Sequence, residues 1–339
     1  MYTSHYKHKL SFSIPYSQLS SQQNTMQAPA LKCSLLFFSY TFLLFLSSLN
    51  LASSAIVCNP SDKKALLDIK YHFHNVSAFK TWDSKTDCCN DWSGVLGCDK
   101  HGHVTTLDFT SYNLAGPIPS SLGKLRKLKT AILHTNNLSG HIPSFLGLMR
   151  NLEFLYLYDN KLTGPIPSSL SQLPKISAIN LGSNQLTGSI PESFGSFISP
   201  LITSLSLYSN KLSGPVPKSL GKANIQLLDL NDNKFTGDAS FLFSKDNTSL
   251  FSIDISNNLF HFDFSNVDLP QSLEYLNISH NKIYGSLPKR LGQLPLKKID
   301  VSFNQLCGKI PTGRRLKQFS PVFFSHNKCL CGPPLAPCH

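Results

Sequence analysis

The sequence predicts an α/β repeat solenoid, a right-handed superhelix with a concave parallel β-sheet and disulfide-stapled caps at both ends. Three observations predict it. A segment of about two dozen residues recurs along most of the chain, cysteines gather at the two ends of that repeat, and an apolar stretch near the start reads as an export signal.

The apolar stretch comes first in the chain. Residues 34–55 hold the only long apolar run, in which Leu35 to Leu46 are broken only by small or hydroxylated residues and are followed by Ala52-Ser53-Ser54-Ala55. Met26 can start a conventional leader, with Lys32 as its positive region and Ala55 as the last residue before cleavage. The run is short and polar-spotted for a membrane anchor, and no later segment could span a bilayer. The domain reading is therefore residues 1–55 as N-terminal extension plus signal peptide and 56–103 as an N-terminal cysteine-rich cap. Repeats fill 104–311, and a C-terminal cysteine-rich cap follows in 312–339.

Cysteine usage agrees with export. Of nine cysteines, Cys33 falls in the leader. The rest form two groups, Cys58, Cys88, Cys89 and Cys98 before the repeats and Cys307, Cys329, Cys331 and Cys338 after them. An even set of this kind in an exported chain implies disulfides, although spacing alone leaves the pairing open. Metal is the competing reading, but Cys98 with His101 and His326 with Cys329 are only half-sites at opposite ends, so no metal and no cofactor is expected. Sequons at Asn75, Asn137, Asn247 and Asn277 fit the secretory route as glycosylation sites.

The repeat is built on Leu-x-x-Asn-x-Leu-x-Gly-x-Ile-Pro. Its asparagine column falls at Asn136, Asn160, Asn184, Asn210, Asn233, Asn258, Asn281 and Asn304, spaced by 23 to 26 residues. An earlier copy carries Tyr112 in that column, which makes nine copies from Val104 to Pro311. Each copy opens on a stretch such as Leu152-Glu-Phe-Leu155-Tyr-Leu157, whose leucines two apart point to one side of a short strand. A single copy cannot bury that side, so copies stack on a shared core. The asparagine amide can satisfy backbone groups at the exit from the strand. The glycine bends the chain, and the Ile-Pro pair buries Ile while Pro holds an extended backbone, so long helices are not expected in the repeats. Open ends of such a stack need caps. The first contains Ser61-Asp62-Lys63-Lys64-Ala65-Leu66-Leu67-Asp68-Ile69, read as an N-capped helix, and Trp82 and Trp92 are expected to pack on the first copy.

These are the marks of a plant-type leucine-rich repeat, and the caps are more specific still. The first reads Ala65-Leu66-Leu67-Asp68-Ile69-Lys70, then Trp82, then Asp87-Cys88-Cys89-Asn90-Asp91-Trp92-Ser93-Gly94-Val95. The last reads Leu306-Cys307-Gly308-Lys309-Ile310-Pro311, then His326-Asn327-Lys328-Cys329-Leu330-Cys331-Gly332. With the irregular segments at 237–243 and 262–267, they resemble the plant polygalacturonase-inhibiting proteins over essentially all of residues 56–338. The resemblance implies disulfides Cys58–Cys88, Cys89–Cys98, Cys307–Cys329 and Cys331–Cys338. It also implies a secreted cell-wall protein of plant defence, monomeric, whose protein ligand is a microbial polygalacturonase. One departure is that nine copies stand where the family usually has ten, with the shortfall near the N-terminal end.

Non-core strand positions number about five per copy, so nine copies offer about 45 side chains over roughly 38 Å of stacked sheet, room for a whole globular partner. Seven aromatics fall there: Phe154, Tyr156, Tyr158, Tyr208, Phe251, Tyr275 and Phe303. Aromatics anchor protein interfaces, although some are expected to pack sideways on neighbouring strands. Asp159, Asn180, Asp229, Asp232 and Asp254 complete the candidate partner-binding face. Of 31 Lys and Arg, three lie in residues 1–55, which leaves 28 against 19 acids. Concave positions carry eight acids (Asp108, Glu153, Asp159, Asp229, Asp232, Asp254, Glu274, Asp300) but only Lys129, Lys297 and Lys298. The basic surplus therefore lies elsewhere, densest at Lys289, Arg290, Lys297, Lys298, Lys309, Arg314, Arg315 and Lys317, a candidate patch for polyanionic pectin.

Asp229 and Asp254 sit at matching positions of adjacent strands, about 4.8 Å apart along the backbone, which superficially suits a glycosidase pair. Asp or Asn recurs at that position in Asp108, Asn180, Asn277 and Asp300, which makes a structural role the better reading. No catalytic motif is present, so no enzyme is expected. Nucleic acid is a poor partner for an exported chain. Two alternatives belong to other classes. One is a soluble receptor-like recognition module in development or defence signalling; the chain stops one residue after Cys338 with no span or kinase, which favours a free protein. The other is an ice-binding protein, which would need a flat array of polar residues. A glycan on Asn277, a concave position, would push the partner toward copies two to six.

Overall fold

The computed structural model describes residues 56–74, 77–245 and 247–338. The export-signal reading of residues 1–55 and the sequon at Asn75 lie outside the described residues. Residues 56–338 build a leucine-rich-repeat solenoid. Its ten-stranded sheet runs in chain order through β1 (Val95–Cys98), β2 (Val104–Asp108), β3 (Thr130–Ile132), β4 (Phe154–Tyr156) and β5 (Ala178–Asn180). It continues through β6 (Ser204–Ser206), β7 (Leu227–Asp229), β8 (Ser252–Asp254), β9 (Tyr275–Asn277) and β10 (Lys298–Asp300). Strands β2 to β10 pair in parallel, one per copy, in unshifted register. The first strand, β1, pairs antiparallel with β2 and belongs to the cap, an addition the repeat pattern does not announce.

Behind the strands each copy crosses the core with its Leu and Ile residues and returns through a single 3₁₀ turn such as Ser168–Gln172. Pro precedes most of these turns in an extended conformation. Short side strands such as Lys161–Gly164 pair into narrower sheets on one flank. One apolar core runs from Leu66 to Phe324, unbroken by the copy boundaries. Such continuity is what makes the copies interdependent.

The asparagine ladder shows how the strand exit is held. Asn136 Nδ2 donates to the carbonyls of Phe109, Leu133 and His134, and its Oδ1 accepts from Leu114 N–H at 2.9 Å. Asn184 repeats the pattern one coil apart from its neighbours. The turn itself is made by the preceding residue, whose φ is positive at +47° to +59° in every coil from Ser111 to His326. Asp, Asn and His tolerate this left-handed geometry better than Phe303, which also adopts it. The ladder extends past Asn304 to Asn327, which bonds Val301, Phe324 and Ser325 carbonyls and Leu306 N–H. The coil register therefore enters the C-terminal cap.

The caps are closed by four disulfides, Cys58–Cys88, Cys89–Cys98, Cys307–Cys329 and Cys331–Cys338. Helix α1 (Pro60–His72) starts earlier than Ser61, since Asn59 is its N-cap and accepts from Ser61 N–H at 3.0 Å. Pro60 then occupies the first turn, where its missing N–H costs nothing. Buried Asp62 ties the helix to the sheet by accepting from Val104 N–H at 2.9 Å. Trp82 stacks on Trp92 at 4.9 Å and leans on Phe109 of the first copy at 5.7 Å. Tyr112, which replaces the first ladder asparagine, joins that cluster through Phe109 and Phe79.

Candidate partner-binding face

The alternation of each strand sends every second side chain to the concave surface. Two rows there run across the copies, one at the strand's last residue and one two residues further on. Where the first row holds Asp or Asn, its oxygen accepts from the residue two ahead. Asp108 binds Thr110, Asn180 binds Gly182, Asp229 binds Asn231, Asp254 binds Ser256, Asn277 binds Ser279 and Asp300 binds Ser302. Asn180, Asp229 and Asp254, expected as contact residues, therefore serve to close their own strand ends. Such turns are a standard use of Asx side chains.

Burial pushes the Asp229 carboxyl up to about 7, with the facing charge of Asp254 adding to the effect. Asp254 is likewise raised by burial, to about 6, although bonds from Ser256 and Asn277 oppose the shift. Asp300 follows in the same direction for the same first reason. Both carboxylates are bonded within the sheet, Asp229 through Oδ1 by Asn231 and Asp254 through Oδ1 by Ser256 and Oδ2 by Asn277.

Where the first row lacks both Asp and Asn along β3 to β6, rings take the second row. His134, Tyr158 and Tyr208 follow Ile132, Tyr156 and Ser206, and the His134 ring stacks on Tyr158 at 4.1 Å. Tyr208 lies over Gly182, where any side chain would run into its ring. Burial raises Tyr208 to about 12 and raises Tyr158 as well, so both phenols stay neutral. Phe154 and Tyr156 pair at 6.2 Å, and Phe251 meets Tyr275 edge-on at 6.4 Å. Phe303, 41% exposed, is sandwiched between His280 at 4.2 Å and His326 at 4.1 Å. These histidines escape a search for aromatic anchors because imidazole is usually read as a proton carrier. Asp159 and Asp232 are exposed at the turn, and Asp232 accepts from Ser209 Oγ at 2.9 Å.

Concave lysines do not cancel the acids freely. Lys129 pairs with Glu153 at 3.4 Å and Lys297 with Glu274 at 2.7 Å. The basic patch at the C-terminal end is also partly engaged. Arg290 reaches Asp268 at 3.6 Å and Gln271 at 3.3 Å, and Arg315 donates to the Pro295 and Leu296 carbonyls. Lys289, Lys309, Arg314 and Lys317 are exposed. The patch also spreads over the 3₁₀ turn Lys289–Gln293, the start of β10 and the cap, so it is not one flat stripe.

The Asn277 sequon fares poorly. Its residue is 7% exposed, and Nδ2, the atom a glycan would use, donates to Asp254 Oδ2 at 3.0 Å and Ser256 Oγ at 3.1 Å. Asn137 lies on a flank strand with its amide on Asn113. Among the described residues, the one close cluster of metal-ligand types is Cys58, Cys88 and Cys89, and all three sulfurs are in disulfides.

Comparison with known proteins now adds to this geometry. The family described as Leucine rich repeat N-terminal domain matches residues 59–99, and that described as Leucine Rich Repeat matches 151–173, 175–197, 201–223 and 272–294. Polygalacturonase inhibitor 1 of Arabidopsis thaliana is 50% identical over 329 residues, covering 89% of this chain and 97% of its own. The chain belongs to the plant polygalacturonase-inhibitor family. A second member, the polygalacturonase inhibitor of Pyrus communis, is 51% identical over 328 residues, covering 89% of this chain and 98% of its own. A plant ice-binding protein of known structure superposes with a TM-score of 0.74 at 38% identity, covering 83% of this chain and 98% of that one. No helix among the described residues is long and apolar enough to cross a membrane.

Proposed function

We propose that this protein is a secreted, wall-resident inhibitor of microbial polygalacturonases in plant defence, acting as a monomer after removal of residues 1–55. Its concave sheet covers the enzyme's cleft and keeps pectin out, without chemistry of its own. The carrying observation is the cluster of Phe154, Tyr156, Tyr158 and Tyr208 on a wide sheet, in a chain half identical to named inhibitors over nearly their full length. Neutral phenols on a rigid sheet offer apolar area and hydrogen bonds at little entropic cost. Exposed Lys289, Arg314 and Lys317 would meet pectate as a secondary ligand and hold the inhibitor in the wall. Asn137 and Asn247 are the sequons proposed to carry glycans, leaving the concave face bare.

The ice-binding reading draws on the superposed structure alone. On the flank sheet Ser139 pairs in register with Lys161, Thr163 with Gln185, and Ser213 with Lys234, so long side chains interrupt the hydroxyls. Thermal hysteresis at the level of buffer is the expected result.

The test of the main reading is direct. Purified protein mixed with a panel of fungal endopolygalacturonases should slow release of reducing ends from pectate. Undiminished hydrolysis across a broad panel would overturn it.

A further inference from the structure

The fifth copy is the longest, with 26 residues between Asn184 and Asn210. Its extra residues lie between the 3₁₀ turn Glu192–Ser196 and β6. They are pinned rather than loose. Ile198 N–H donates to Ser171 O at 3.1 Å, buried Ser199 donates through Oγ to Ile176 O at 2.8 Å, and Leu201 N–H donates to Ser199 Oγ at 3.2 Å. The result is a fixed ledge carrying Ile198 at 53% exposure and Leu201 at 54%.

The position of Leu201 in the repeat makes this unusual. Nine residues before the ladder column, the other copies carry His103, Lys127, Asn151, Lys175, Asn224, Ser249, Ser272 and Pro295. Apart from Pro295 the column is polar in the other copies, and here Leu201 stands with exposed Ile198 and Pro200 as a small apolar patch and not as a lone residue. Leu201 and Pro200 face Phe154 across an open groove of about 430 Å³, whose other lining includes Glu153, Lys175 and Ser177. Both charges at the groove are already partnered, Glu153 with Lys129 at 3.4 Å and Lys175 with Asn151 at 3.0 Å. What remains unpartnered is apolar. Phe154 belongs to β4, so the groove opens onto the same copies that carry Tyr156, Tyr158 and Tyr208.

We propose that this groove is an edge subsite of the concave interface, filled by an apolar side chain on a surface loop of the polygalacturonase, and that Leu201 governs which enzymes are held. The inference rests on the inhibitor reading above. An uncharged leucine- or phenylalanine-sized group fits the chemistry, because a charged one would lose water without gaining a partner.

The experiment compares inhibition constants of the wild type, Leu201→Lys, Leu201→Met and Tyr208→Ala against a fungal endopolygalacturonase that the wild type inhibits. Leu201→Lys restores the polar chemistry of the column at an exposed site and should leave the thermal midpoint unchanged. The expected result is inhibition weakened about ten-fold or more by Leu201→Lys, retained by Leu201→Met, and lost most heavily by Tyr208→Ala. Full inhibition by Leu201→Lys beside a weakened Tyr208→Ala overturns the subsite and leaves the concave reading standing. A wild type that inhibits no enzyme of the panel overturns both.

Discussion

The two halves of the concave sheet share one backbone and carry different chemistry. Along β3 to β6 the strand-end row reads Ile132, Tyr156, Asn180 and Ser206, and the next row reads His134, Tyr158, Gly182 and Tyr208. Along β7 to β10 the same rows read Asp229, Asp254, Asn277 and Asp300, then Asn231, Ser256, Ser279 and Ser302. The difference is reciprocal. Asp or Asn at the strand end accepts from the N–H two residues on, and that residue is Gly182, Asn231, Ser256, Ser279 or Ser302, whereas rings follow only Ile132, Tyr156 and Ser206. Freed of the carboxylate, the other half uses the site for His134, Tyr158 and Tyr208. The acidic half bonds its own turns at every strand end, and the aromatic half, which does so only at Asn180, is the one proposed to meet the partner.

If the scaffold is common to both halves, deleting a ladder amide must hurt equally in each. Asn184→Ala and Asn281→Ala each strand three carbonyls and one N–H, so each should cost about 3 kcal/mol or more. Urea unfolding checks this, and a loss confined to one half would break the shared-scaffold claim.

Binding should separate the halves. Tyr158→Ala and Tyr208→Ala are each expected to weaken inhibition by about 2 kcal/mol, roughly 30-fold, with folding intact. Asp300→Asn, in the acidic half, should change the inhibition constant less than about three-fold.

Acidity should separate them too. Asp229 and Asp254 are raised above the ordinary carboxyl value, so the folded protein holds more protons than the unfolded chain between pH about 4 and about 7. Their contribution is complete below that window and is lost as the pH rises through it. Thermal stability should therefore fall from pH 5 to pH 7, and Asp254→Asn should flatten the slope. The smallest effect concerns Asn277, whose buried amide predicts an unmodified peptide in glycopeptide maps while the more exposed Asn137 carries sugar.

Much of this was written in the sequence because the repeat itself is a physical constraint. Leucines two apart fix the sheet and the asparagine column fixes the coil, and recurrence of Asp or Asn at one strand position favours a structural over a catalytic role for Asp229 and Asp254, although from sequence both are also expected as partner contacts. The disulfide partners came with the family resemblance, since spacing leaves several pairings open. What the pattern could not convey depends on reach in three dimensions. Asn59 caps the helix in place of Ser61 because Pro60 can start it. The Asn277 sequon looks available until its amide is seen between Asp254 and Ser256. His134 becomes part of the aromatic face only through its stack on Tyr158, and Leu201 gains meaning only opposite Phe154.

The central claim is that the aromatic half of the concave sheet receives the enzyme. Amide hydrogen exchange with and without a saturating endopolygalacturonase tests it most directly. Slowed exchange at the strand exits around residues 134–135, 158–159, 182–183 and 208–209, with the 3₁₀ row unchanged, is the predicted result. Protection centred on the 3₁₀ turns or on the flank strands would contradict it.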